Sequence, residues 1–150
     1  MAEISKDITI LNTLTATLID SVNGYRDAAA NVEGDRFQEL FRKFADDRSQ
    51  CVEQLRAQVT ALGGNAEDDG SFLGKTHQRF LDLKAAVTGR DDQAIINEVE
   101  RGEDYLKEKF DAALNDGGLS MESRSAVEAA YQSVRQGHDQ MSALKHGMEA

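Results

Sequence analysis

Apolar side chains return every three to four residues through four long stretches of this chain, and none of its 150 residues is proline. That spacing lays one apolar stripe along one face of an α-helix, and a helix built this way must bury its stripe against a neighbour. The abundance of Ala, Leu, Glu, Asp, Gln, Lys and Arg points the same way, because straight-chain residues lose little rotamer freedom in a helix. The length suits one domain able to bury a sizeable core. The sequence therefore predicts an all-α single domain over residues 1–150.

The first stripe, Ile4, Ile8, Leu11, Leu18, Val22 and Tyr25, predicts a helix over about 3–31. Asp35 restarts the pattern as an N-cap with Gln38 as its capping-box partner. A second helix over 35–62 follows, with Phe37, Phe41, Phe44, Arg48, Cys51, Leu55 and Leu62 on one face. Gly63 and Gly64 suit a left-handed C-cap. Residues 65–71 are acidic and aperiodic, and a short amphipathic helix is expected over 74–88 around Phe80, Leu83 and Val87. A third long helix, 91–115, carries Ile96, Val99, Glu103, Leu106, Phe110 and Ala113, with Asp91 and Asp92 as candidate caps. Ser120 caps a fourth, 120–147, with the stripe Val127, Tyr131, Val134, His138 and Met141.

Each long helix spans roughly 40 Å at about 1.5 Å per residue. The first pair and the last pair are joined by short connections, which make antiparallel hairpins. The connection between the second and third helices is long enough, with its short helix, to run back along the bundle. That places the second and third helices parallel, the one-crossover connectivity of ferritin-like four-helix bundles.

Three residues sit where an apolar stripe has no obvious use for them: Arg48, Glu103 and His138. In the one-crossover arrangement Arg48 and Glu103 fall at nearly the same central level. Asp20, Glu100 and His138 lie within about one and a half turns of it. A buried cation must be satisfied, so one expectation is a structural network of Arg48 with Glu103 or Glu100, completed by His138, Asp20 and Tyr131. The alternative is a metal site made of Glu100, Glu103, His138 and Asp20, because ferritin-like bundles hold iron or manganese with carboxylates and histidines. Against it, the chain has no Glu-x-x-His sequence, and the Arg48 guanidinium would repel a dication.

Other features argue for packing or for solvated charge. His77 stands without nearby ligand partners, Cys51 reads as a core thiol, and Met121, Met141 and Met148 read as packing. Glu67, Asp68 and Asp69 lack the ligand spacing of a calcium loop. A net charge of −10 opposes nucleic-acid binding, which rests on neutralised phosphates. The stretch from Ile8 to Ile19 is broken by Asn12 and four threonines and is too short to span a membrane. The expectation is a soluble cytoplasmic protein.

The combination of Leu11-Asn12, Gly24-Tyr25, Phe41 with Arg48 and Glu53, Gly63-Gly64, Gly74 with His77, Leu83-Lys84, Glu100-Arg101-Gly102-Glu103, and Tyr131 with His138-Asp139 resembles an uncharacterised bacterial family of ferritin-like four-helix bundles, a domain of unknown function. The resemblance covers nearly the whole chain. It departs at Phe80, where sequences of this kind commonly carry Trp. It implies a ferritin-like fold and a small soluble bacterial protein, with a stress-associated setting, and it assigns no catalytic residue. The reading is thus a non-enzymatic bundle with no cofactor, acting through its surface or as a homo-oligomer, its protein partner unnamed. The rival reading is an iron- or manganese-binding protein with a degenerate site.

Overall fold

The computed structural model describes residues 2–32, 35–66 and 92–149. Among them are four helices: α1 (Ala2–Asn31), α2 (Asp35–Ala61), α3 (Asp92–Asn115) and α4 (Met121–Glu149). No strand occurs among the described residues. The short helix expected over 74–88, with His77 and Phe80, and the acidic residues Glu67, Asp68 and Asp69 lie outside them.

Local chemistry accounts for where the helices begin and end. At the end of α2, Gly63 has φ of +83°. The Gly64 N–H donates to Val59 O at 3.0 Å and the Gly63 N–H to Thr60 O at 2.9 Å. These two bonds make a Schellman cap, which glycine enters without a Cβ penalty. At the start of α4, Ser120 Oγ accepts the Ser123 N–H at 3.3 Å, the N-cap bond expected of a serine there. Gln38 also ties the α1–α2 connection, its Nε2 donating to Val32 O at 3.0 Å. Gly147 does not end α4, which continues to Glu149. A helical glycine costs only about 1 kcal/mol and stops a helix only when the backbone turns left-handed.

The threonines of α1 are accommodated by bonding back to the preceding turn. Thr9, Thr13, Thr15 and Thr17 donate to the carbonyls of Ser5, Thr9, Leu11 and Thr13 at 2.7–3.0 Å. This satisfies hydroxyls that would otherwise compete with the helix.

Helix α1 packs along α2 and α3 along α4, while α2 lies beside α4 and α1 beside α3. The pairs α2/α3 and α1/α4 occupy the diagonals of the bundle, and no backbone contact joins α2 to α3. End contacts give the directions. Asn12 near the start of α1 donates to Asn65 O just past the end of α2 at 2.9 Å. Lys6 pairs with Asp116, just past the end of α3, at 2.9 Å. Gln58, late in α2, donates to Ser123, early in α4, at 3.3 Å. Helices α1 and α4 therefore run one way, and α2 and α3 the other.

The core is drawn from all four helices, with Leu11, Leu14 and Leu18, Phe41 and Leu55, Ile95, Ile96, Leu106 and Phe110, and Val127, Val134 and Met141 buried. Two expected core residues are not in it: Ile4 is 43% exposed and Met121 87% exposed. Both stand in the first turn of a helix, beyond the end of the facing stripes. Met148 falls outside the described side chains.

One buried carboxylate closes this end of the bundle. Asp7 is buried, and it accepts the Ser120 N–H at 3.2 Å and the Ser120 hydroxyl at 2.5 Å. Its charge thus faces the positive end of the α4 dipole. Asp7→Ala removes charge-assisted bonds and is expected to cost about 2 kcal/mol in urea denaturation. A loss under about 0.5 kcal/mol, the scale of ordinary surface substitutions, would contradict this role.

Candidate functional site

The polar layer at mid-height receives a residue from every helix. Arg48 enters from α2 and Glu103 from α3, the two helices that share no backbone contact, and their side chains meet across the diagonal. Arg48 Nη1 donates to Glu103 Oε1 at 2.7 Å and Nη2 to Oε2 at 2.6 Å, a bidentate fork. Helix α1 contributes Ser21, whose Oγ accepts a second bond from Arg48 Nη1 at 3.0 Å. Both charged residues are buried, at 1% and 2% exposure. Burial opposes the charge on Arg48, but the Glu103 carboxylate outweighs it and holds the guanidinium pKa above its ordinary value.

Helix α4 contributes an absence. A Cβ built on Gly137 would lie 2.3 Å from Arg48 Nη2 and 3.2 Å from Glu103 Oε2. The ion pair is therefore pressed against bare α4 backbone, and glycine is what makes room for it. The buried line of α4 runs through Val127, Ala130, Val134, Gly137 and Met141. The expected line shares Val127, Val134 and Met141 with this one but takes Tyr131 and His138 in place of Ala130 and Gly137, and those two stand at its flank.

Tyr25 completes the layer from α1. The Arg48 guanidinium carbon lies 5.7 Å from the centre of its ring, and Phe44 and Phe41 pack against that ring at 5.2 and 5.8 Å. Its hydroxyl is buried beside the Glu103 carboxylate, with no hydrogen bond of ordinary geometry. Burial, and then the nearby Glu103 charge, raise its pKa well above 10. It stays a phenol at any pH the fold would meet.

The remaining expected members are placed elsewhere. His138 does not reach Glu100 or the central pair; its Nε2 meets Asp104 at 2.6 Å, across the α3–α4 interface, and its Nδ1 meets Asp139 at 3.3 Å. Glu100 instead accepts from Lys145 at 3.2 Å. Tyr131 stacks on Phe110 and donates a short bond to Asp111, which also accepts from Lys107 at 3.2 Å. The tyrosine bond holds the Asp111 carboxyl below its usual range. Asp20 is among the residues lining a cleft between α1 and α3. Cys51 is buried, its thiol pushed up by burial and placed 3.9 Å from Ala130 O.

This geometry decides how well the donors fit iron or manganese. Both Glu103 oxygens are taken by Arg48, Glu100 is engaged by Lys145, and both His138 nitrogens face aspartates. Among the described residues, no group of three or more His, Cys, Asp or Glu side chains is arranged to hold a metal ion. The described residues do not fit a carboxylate-and-histidine metal site, and the buried Arg48 guanidinium beside Glu103 would oppose a dication there.

His138 makes the α3–α4 interface sensitive to pH. Its partial burial opposes protonation, but the bonds to Asp139 and Asp104 and their charges outweigh this and raise its pKa above 6.5. A raised folded pKa adds stability that is complete below the unfolded value of 6.5 and lost as pH climbs through the folded one. His138→Gln should therefore cost more in urea denaturation at about pH 5.5 than at about pH 8.5. Equal losses at the two values would rule out the aspartate clamp.

Sequence reasoning missed Gly137, Ser21 and Asp7. The signal for Gly137 was present: a glycine inside a long helix costs about 1 kcal/mol relative to alanine and needs a packing reason. No helix among the described residues is long and apolar enough to cross a membrane. A comparison with curated proteins found no match. A family model described as a domain of unknown function, DUF2383, matches residues 6–116, which carry α1, α2, α3 and the Arg48–Glu103 pair but not Gly137 or His138. The chain belongs to this DUF2383 family.

Proposed function

We propose that this protein is a non-catalytic bundle of ferritin-like connectivity, in which an ion pair stands where related architectures carry metal. It works through its surface. The observation that carries the reading is the bidentate Arg48–Glu103 pair, which uses both carboxylate oxygens at the bundle centre. The parallel course of α2 and α3 at opposite corners supports the one-crossover connectivity. With this reading go a bacterial, cytoplasmic and stress-associated setting, self-association into homo-oligomers, and no nucleic-acid partner. The last is supported by the net charge of −10.

The test is elemental analysis of protein expressed with iron and manganese supplied and dialysed without chelator, with analytical ultracentrifugation of the same sample. The expected result is no stoichiometric metal and a species heavier than one chain. A full equivalent of iron or manganese per chain would overturn the ion-pair reading and restore the metal one. A monomer at all concentrations would remove self-association from it.

A further inference from the structure

We propose that the contact of His138 with Asp104 is a pH-sensitive latch over the buried ion pair: the doubly protonated ring seats α4 against the Arg48–Glu103 fork, and its deprotonation lets water reach them. Consecutive residues carry the two contacts on both helices. On α3, Glu103 enters the fork and Asp104 meets His138 Nε2 at 2.6 Å. On α4, Gly137 offers bare backbone, where an added Cβ would lie 2.3 Å from Arg48 Nη2, and His138 follows it directly. One peptide unit on each helix thus joins a dry contact to a wet one: Glu103 is 2% exposed, whereas the Asp104 side chain is 49% exposed.

The switch lies in the supply of donors. A neutral imidazole has one N–H and one lone pair, and an ionised carboxylate only accepts. His138 has an aspartate at each nitrogen, Asp104 at Nε2 and Asp139 at 3.3 Å from Nδ1, so both contacts are hydrogen bonds only in the imidazolium form. After losing a proton the ring turns a lone pair toward one carboxylate, and that contact becomes repulsive. The other charges around the ring are engaged elsewhere. One turn away on α3, Glu100 accepts from Lys145 and Lys107 pairs with Asp111. One turn before His138 on α4, Arg135 acts on Asp111, and from α2 Arg48 is held by Glu103. The fork itself favours opening, because two ions taken out of water recover only part of that cost from each other and hydrate readily once the backbone at Gly137 lifts. Val134 and Met141 are buried about a turn to either side, so the lift is local.

The test follows the Arg48 guanidinium N–H protons of the isotopically labelled full chain by NMR, as their protection from exchange with water, corrected for the pH dependence of a free guanidinium. Protection is expected to fall about fivefold between about pH 5.5 and 8.5, the measure of one partly screened contact. His138→Gln does not titrate, and in Asp104→Asn the amide can accept from the ring or donate to it. Each variant should flatten the profile. Low concentrations of urea separate the latch from unfolding of the whole bundle, because a local opening exposes little surface. Exchange at Arg48 should hardly respond to urea, while the backbone amide of Leu55, in the core of α2, should exchange faster. Equal protection at the two pH values in the wild type, a fall undiminished in both variants, or a urea response at Arg48 matching that of Leu55 would each overturn the latch.

Discussion

Glu103→Gln is expected to destabilise the protein by about 3–5 kcal/mol, far more than its near-identical shape suggests. The substitution keeps the volume and one acceptor oxygen but leaves the Arg48 guanidinium, 1% exposed, without a counter-charge. Taking a cation out of water is tolerable only while its partner is present. Domains of this size are stable by only about 5–15 kcal/mol, so this one change consumes a large share of the margin. Urea denaturation read by circular dichroism supplies the number. The double variant Arg48→Met with Glu103→Leu should recover most of the loss, because no charge is then buried. If Glu103→Gln costs under about 1 kcal/mol, the pair is not what holds the layer.

Gly137→Ala should be destabilising by about 1–3 kcal/mol, the reverse of what helix propensity dictates. Exposed helical glycines gain about 1 kcal/mol on becoming alanine. At Gly137 the new methyl would lie 2.3 Å from Arg48 Nη2, and the guanidinium cannot yield without losing its fork to Glu103. Gly102→Ala is the matched control, since its Cβ meets nothing within 4 Å and it should stabilise by about 0.5–1 kcal/mol. The sign of Gly137→Ala should itself depend on Arg48. In an Arg48→Met background, with a flexible apolar chain beneath it, the penalty should shrink, and a double-mutant cycle reads that coupling. A stabilising Gly137→Ala in the wild-type background would contradict the close packing.

What could be read from the sequence follows from how unambiguous each stripe is. In α2 the large residues Phe37, Phe41, Phe44 and Leu55 leave one choice of buried face, so Arg48 is placed on it directly. In α3 the choice was open: a stripe through Ile96 puts Glu103 on the buried face, one through Ile95 and Gly102 turns it toward the edge, and the structure buries Ile95, Ile96 and Glu103 together. Helix α4 is different. Its buried line is made of Ala130, Val134 and Gly137, and its larger residues Tyr131 and His138 flank that line. A rule that assigns large residues to the interior keeps Val127, Val134 and Met141 but exchanges Ala130 and Gly137 for their larger neighbours Tyr131 and His138, each about 100° further round the helix. That exchange is why His138 is found with Asp104 instead of the central pair, and why Gly137 escaped notice. Partners such as Lys145 for Glu100 depend on side-chain reach between helices, which no spacing within one helix encodes.

The bond between Asp7 and Ser120 has a consequence in time. It joins residues 113 positions apart, whereas the α1–α2 hairpin closes over a connection of only a few residues. Closing a long loop is entropically slower than closing a short one, and contacts of high sequence separation delay folding. As the chain is synthesised, the first hairpin can form well before Ser120 exists, with Asp7 still hydrated and its end of α1 frayed. Sealing that end then reports the arrival of the last helix, so protection of the first turns of α1 from hydrogen exchange should appear late, together with that of α4.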